Sequence, residues 1–477
     1  MADWQGIVTF STTNKPQTKK PLKVKLAKSL SRTRKSTIPA LRFEKQDLSS
    51  YSGLVVFQKL FADLDLSARL GAFCARGSGH YSYCLLFRLL IVNALLGMRK
   101  LREIDIYRED PIVKRVLGTK SLPSVPTISR MLERCDDEQV LELETQSTNL
   151  VLERLAAERL ATVTLDFDGS VISTRRKAEG VAAGYNKKKG LRSYYPLFCT
   201  LAQSGQVLQA LHRSGNVHDS RGSIQFVEQC VVGVRERLPR ARIEVRMDSA
   251  FFSDAMVARL NSLGVEYAIS VPFERFCELK AKIEARARWT PVPGGERESD
   301  GFEHRWKPKS WKRKARFLFV RTANPKQAKG GLQLDLFEPL EFQYDYKCVL
   351  TNKRCSVKKA VRFLEGRGQQ EGVFAELKSQ GALDYVPCRR RAANQCYMLC
   401  AIMAHNLGRE LQMRTWNTDR STTEKRSPLW IFEKIQTLRN TFICKAGRLT
   451  RPAGKPTLTL NANSAVERYL RNYLNAA

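Results

Sequence analysis

TLDFDGSVIST, residues 164–174, sets two carboxylates, Asp166 and Asp168, two positions apart in an apolar run that ends on Gly169 and Ser170. The alternation through ATVTLDFD, from Ala161 to Asp168, reads as a β-strand. Side chains alternate across a strand, so both aspartates face the same way. Asp168 stands nearer the strand end, where a carboxylate meets solvent. A second strand, RIEVRMDSAFF at 242–252, carries Asp248 where its own apolar alternation stops.

Around these two strands the chain alternates between the two periodicities. YYPLFCTLAQ and QVLQALHRSG read as a hairpin turning at Ser204 and Gly205, SIQFVEQCVVGVRERL and SDAMVARLNSLG as helices, and VEYAISVP as a further strand. Several strands followed by alternating helices predict an α/β class, a mixed sheet with helices on its faces, which fits a ribonuclease H-like core.

Residues 272–342 interrupt that rhythm with VPGGERESDG, AKGG and HRWKPKSWKRKARFLFV. They predict an inserted, β-rich subdomain, after which regular structure resumes at FQYDYKCVLTN. Trp306 and Trp311 lie among basic residues there, a pattern suited to stacking on unpaired bases. Trp289 or Trp306 would equally serve as a small core for the insert.

Neighbouring strands with carboxylates at their ends form an oxygen-rich site of the kind that suits Mg²⁺ or Mn²⁺. Taken singly, each aspartate could simply cap a turn. A third acid comes from FLEGRGQQEGVFAELKSQGALDY, residues 363–385. On a helix Arg367, Glu371 and Lys378 fall along one face, so Glu371 would hold a metal while Arg367 and Lys378 grip phosphate oxygens.

The chain of 477 residues has 81 Lys and Arg against 47 Asp and Glu, a formal charge of +34 that calls for an anionic partner. Nucleic acid is the natural one. The longest apolar run, Cys84 to Met98, contains Arg88 and Asn93 and is shorter than the roughly 20 residues a membrane span needs, so it reads as a buried helix. No membrane partner is expected. MADWQGIVTF lacks the charge-then-apolar order of a secretory signal, which predicts a cytoplasmic protein. None of the 12 cysteines forms a Cys-x2-Cys pair, so they read as reduced packing residues, and the five histidines are too scattered for a zinc site. His218, in GNVHDS, reads as part of a turn.

Residues 1–45 carry nine Lys and Arg from Lys15 to Lys35, with Asp3 the only acid before Glu44, and read as a flexible basic arm. Residues 46–160 have helical periodicity. Within them Asp110-Pro111 opens a short helix that Gly118 closes, and a second, near Pro126, carries Ser129, Arg130 and Arg134. The pair resembles a helix-turn-helix, with Arg130 a candidate DNA contact. The expected division is then 161–271 for the first part of the core, 272–342 for the insert, 343–415 for its second part, and 416–477 for a C-terminal region with DNA or dimer contacts.

LDFDGSVIST, GVAAGYNKKKGLRSYYPLFCTLAQSGQVLQALHRSGNVHDS, VRMDSAFFSDAMVARLNSLGVEYAISVP, GRGQQEGVFAELK and RRRAANQCYMLCAIMAHNLGREL together resemble the DDE transposases of bacterial insertion sequences, especially the insertion-sequence 1380 type. The likeness runs from about residue 160 to 412. It implies that Asp168, Asp248 and Glu371 are the catalytic triad, with Asp166 and Glu376 as near alternatives for the first and third acids. The family's Tyr-x2-Arg-x3-Glu-x6-Lys signature fits Arg367, Glu371 and Lys378, while Leu364 replaces its tyrosine. Lys187, Lys188, Lys189 and Arg192 in YNKKKGLR would hold the backbone of a transposon end. The resemblance further implies two Mg²⁺ ions, replaceable by Mn²⁺, that activate water and then a DNA 3′-hydroxyl for in-line phosphodiester displacement. The implied partners are double-stranded DNA and a second copy of the chain. Two other readings are a transposase-derived DNA-binding protein that no longer cuts, and a ribonuclease H-fold nuclease that never joins strands.

Overall fold

The computed structural model describes residues 38, 40–44, 46–73, 77–78, 80–184, 191–217, 221–292, 298–323, 344–416 and 423–476. It separates into two units, 1–45 and 46–477. The basic arm therefore lies almost wholly outside the described residues, as do Lys187, Lys188, Lys189 and His218.

The second unit begins with helices. They include α1 (Val55–Asp63), α2 (Tyr83–Leu95), α3 (Pro111–Leu117), α4 (Val125–Glu133) and the long α5 (Asp137–Ala157). Helix α2 is the apolar run already noted, and it is buried nearly all round. Arg88 and Asn93 both find partners inside the protein. Arg88 donates to the Val116 carbonyl, and Asn93 accepts from the Tyr107 hydroxyl and donates to Met98. No helix of the described residues is long and apolar enough to cross a membrane.

Local chemistry sets the ends of α3 and α4. The Asp110 carboxylate accepts from the amides of Ile112 and Val113, Pro111 occupies the first turn, and Gly118 closes the helix at φ 68°. Ser124 caps α4 in the same way. Ile128, Met131 and Leu132 face inward while Arg130 stays exposed.

A nine-stranded mixed sheet follows, built from β1 (Thr162–Gly169), β2 (Leu197–Leu201), β3 (Val207–Leu211), β4 (Arg242–Met247), β5 (Glu266–Ser270), β6 (Thr290–Pro291), β7 (Ser299–Trp306), β8 (Ala315–Ala323) and β9 (Tyr344–Thr351). The spatial order is β6-β7-β8-β9-β5-β4-β1-β2-β3. Strands β1, β4 and β5 run parallel, and every other neighbouring pair is antiparallel. The hairpin turns at Gly205, which takes φ 62°.

The expected insert does not form a separate subdomain in its described part. Its strands β6, β7 and β8 pair edge to edge with β9 and so continue the central sheet. The reason is packing: Phe302, Phe317 and Phe319 bury themselves in the core that also receives β1 and β4. Trp306 and Trp311, expected to stack on bases, belong to that same core and are only 8% and 6% exposed. Trp306 donates to Glu278 at 3.1 Å, and Trp311 packs on Phe252 with ring centres 4.8 Å apart. Neither ring is free to meet a base.

The two faces of the central strands differ. Val163, Leu165 and Phe167 of β1 and Ile243, Val245 and Met247 of β4 pack against α5, α6 (Ser223–Arg237) and α7 (Asp254–Ser262). The opposite face carries Thr164, Asp166, Glu244 and Arg246, all buried. It is closed by α8 (Val357–Glu365), α9 (Gln369–Gln380), the long α10 (Arg391–Thr415) and the segment around Arg426.

Candidate active site

Asp168 and Asp248 reach the same place because β1 and β4 are adjacent and parallel. Phe167 is in register with Met247, so each aspartate is the next residue along, at the C-terminal ends of strands about 4.8 Å apart. Asp168 is half-buried, with one oxygen accepting from Gly169 at 2.8 Å and the other from the Arg367 guanidinium at 2.7 Å. Asp248 caps the short turn Ser249–Phe251, one oxygen accepting from the Ala250 amide at 3.0 Å.

The third acid arrives on α9. Glu371 lies exposed in the first turn of this helix, and two neighbouring residues tie that turn to β1. Gln370 donates to the Asp166 carbonyl at 3.0 Å, and Arg367 reaches Asp168. Arg367 precedes α9, whereas Glu371 and Lys378 lie on it. Arg367 sits in a 3-10 turn, Gly366–Gly368, that breaks α8 from α9. Gly366 lets the Lys425 carbonyl and the Arg246 guanidinium approach closely, because a Cβ there would collide with both.

Asp166 and Glu376, the alternative acids, have structural work instead. Asp166 is fully enclosed and receives both arms of Arg246, at 2.5 and 2.6 Å. Glu376 is buried, accepts from Arg409 at 2.6 Å and from the Ile435 amide at 2.8 Å. Both pairs hold elements together, away from solvent.

Among the described residues no three His, Cys, Asp or Glu side chains stand close enough together to form a finished metal cage. What the fold does bring together is two carboxylates on adjacent strand ends, with the helix turn that carries Glu371 tied to β1 through Gln370 and Arg367. The donor set is carboxylate oxygen, which fits a hard divalent cation such as Mg²⁺ or Mn²⁺. Arg367 pairs with Asp168, so its guanidinium neutralises one of the two strand-end carboxylates.

Three neighbours were not foreseen from sequence. Arg246 forks onto Asp166 and also donates to the carbonyls of Phe363 and Lys425, clamping α8 to the sheet. Tyr195 lies so close to Gly169 that a side chain there would strike its ring and hydroxyl, and Arg213 stacks over that ring at 5.3 Å. Gln370 is the third. A signal for Arg246 was present: Thr164, Asp166, Asp168 and Glu244, Arg246, Asp248 form two polar series of period two inside apolar strands.

Of the remaining candidates, Arg192 is exposed on a short strand, Arg192–Tyr194, and Arg130 is exposed on α4. Lys378 lies in the last turn of α9.

A family model described as transposase DDE domain group 1 matches residues 32–476. No curated protein matches the chain with significance. Among solved structures, the chain is similar to the piggyBac transposase in a synaptic complex with hairpin DNA, at 11% identity and a TM-score of 0.37 over 82% of this chain and 79% of that one. It is similar also to the Mos1 transposase in a paired-end complex with the left transposon end, at 14% identity and a TM-score of 0.17 over 40% of this chain and 59% of that one.

Proposed function

Because the chain belongs to the transposase DDE domain group 1 family, we propose that it is a bacterial insertion-sequence transposase of the 1380 type, with a ribonuclease H-like catalytic core. It binds the terminal inverted repeats of its element, cleaves their phosphodiesters and joins the 3′-hydroxyl ends to target DNA. It works in the cytoplasm, on the nucleoid, as a homodimer that pairs two ends.

The observation that carries this reading is the placement of Asp168 and Asp248 on adjacent strand ends, with the Glu371 turn of α9 anchored beside them. These three carboxylates would hold two divalent ions, Mg²⁺ with Mn²⁺ as substitute. When bound, such ions lower the pKa of water and stabilise the departing oxygen of an in-line displacement. The chain's own groups bind and orient. Arg367 exchanges its carboxylate partner for a phosphate oxygen as DNA enters, a swap its planar fork suits. Lys378, Arg192 and the Lys187, Lys188 and Lys189 run hold the backbone of the end, and Arg130 on α4 approaches a groove.

The test is cleavage of the cognate ends. Asp168→Ala, Asp248→Ala and Glu371→Ala are expected to abolish nicking in Mg²⁺ or Mn²⁺ while end binding survives. Equal nicking by a protein carrying all three substitutions would refute the site. A strand-transfer assay then separates joining from cutting alone.

A further inference from the structure

The carboxylates occupy one end of the sheet, and the other end carries a different surface. There β1, β4 and β5 begin and β9 finishes, flanked by the paired residues Trp306 of β7 and Ala315 of β8. Two adjoining hollows of about 300 and 640 Å³ open along this end and share Lys353, Arg354 and Cys355 on their walls. Arg242, Arg305, Lys314, Arg354 and Lys359 line them, and all five are exposed.

The charges in this cleft do not balance. Its acids are engaged: Glu266 with Lys353, Glu303 with Arg316 at 2.6 Å, and Glu424 with Arg362 at 3.5 Å. Arg305, Lys314, Arg354 and Lys359 have no carboxylate partner among the described residues. Cations gathered on a concave wall repel one another unless an anion relieves them.

The wall is also rigid. Glu244, fully buried, accepts from Lys353 at 2.7 Å and from both arms of Arg426 at 2.7 and 2.9 Å. The strands from β4 across β5, β9 and β8 to β7 span about 20 Å, more than half a turn of duplex DNA. The six residue steps from Thr162 to Asp168 put the cleft about 20 Å from the carboxylates.

We propose that this basic cleft binds the phosphate backbone of duplex DNA, on a stretch separate from the one that meets Asp168 and Asp248. The proposal rests on the transposase reading only in taking DNA as the polyanion. The exposed Lys and Arg heads meet phosphates and read no bases, so binding here is independent of sequence.

The test uses the full chain and a duplex of arbitrary sequence several helical turns long. Substituting Arg305→Ala, Lys314→Ala, Arg354→Ala and Lys359→Ala together is expected to lower the slope of log affinity against log salt by roughly 3 to 4. Nicking of the cognate ends by Asp168→Ala is measured separately, so failure of the cleft and failure of the catalytic site are distinguished. An unchanged slope in the fourfold variant overturns the proposal. A second measurement needs no variant: duplex should shield Lys314 and Lys359 from acetylation in a mass-spectrometric footprint, and equal labelling with and without DNA overturns it too.

Discussion

Arg246 and Asp166 form a fully enclosed ion pair, and the same guanidinium reaches two backbone carbonyls on other segments. Removing one partner leaves an uncompensated charge inside the protein, so Arg246→Ala is expected to cost about 3–5 kcal/mol, read as a lower urea midpoint. Asp168 lies only two residues on but at the strand end, with access to solvent. The contrast extends to the third acid. Glu376→Gln should lower stability while preserving metal-dependent cleavage, because its oxygens serve Arg409 and Ile435. Glu371→Gln should keep stability and lose cleavage. The reverse pattern in a cleavage assay paired with urea unfolding would move the third acid to Glu376.

At the scale of the element, Trp306 and Trp311 show how a basic neighbourhood misleads. Their surroundings in sequence are Lys and Arg, yet in β7 and the turn after it alternate residues point inward, and the rings fill the core between the sheet and Phe252, Phe276 and Phe317. Trp306→Ala or Trp311→Ala should therefore cost about 3–5 kcal/mol in urea unfolding. Trp306→Phe, which keeps most of the buried area, should leave DNA affinity at its starting value. A selective loss of affinity with unchanged stability would return the ring to the DNA surface. Capping was easier to see. Asp110-Pro111, Gly118 and Ser124 bound α3 and α4 through contacts within a few residues, so their signal is local.

For the whole molecule, burial makes the fold sensitive to acid. His212 is pushed down to about 3 by burial and by Arg391. His405 falls to about 4 through burial and Arg409, while its ring nitrogen donates to the Gly205 carbonyl at 3.0 Å. Burial by itself would raise Glu244, but hydrogen bonds from Arg426 and Lys353 bring it down to about 2. All three folded values lie below the unfolded ones, so the stability they contribute is complete above about pH 6.5. It is lost from the histidines as pH falls from 6.5 toward 4 and 3, and from Glu244 between about 4.5 and 2. Each is worth on the order of 3 kcal/mol. Urea midpoints should therefore fall steadily from pH 7 to pH 4, and His405→Asn should flatten part of that decline. A midpoint independent of pH over this range would contradict the burial of the imidazoles as neutral groups.

The strands and helices of the central sheet across residues 161–271 were legible in the sequence because period-two and period-3.6 patterns are local consequences of which face is buried, whereas the short strands Ile172–Thr174, Ala182–Ala183 and Arg192–Tyr194 were not. The alignment of Asp166 with Asp168 followed from the same rule. The sequence also determined the charge of the molecule and the helix caps. Only the tertiary structure decided which aspartate is enclosed, that Glu376 belongs to Arg409, that β6 to β8 extend the central sheet, and that a basic cleft lies at its far end. Those outcomes depend on contacts between residues as much as 200 positions apart, such as Gln370 with Asp166. Spacing along the chain carries no record of such pairings, because desolvation and charge pairing act on neighbours in space.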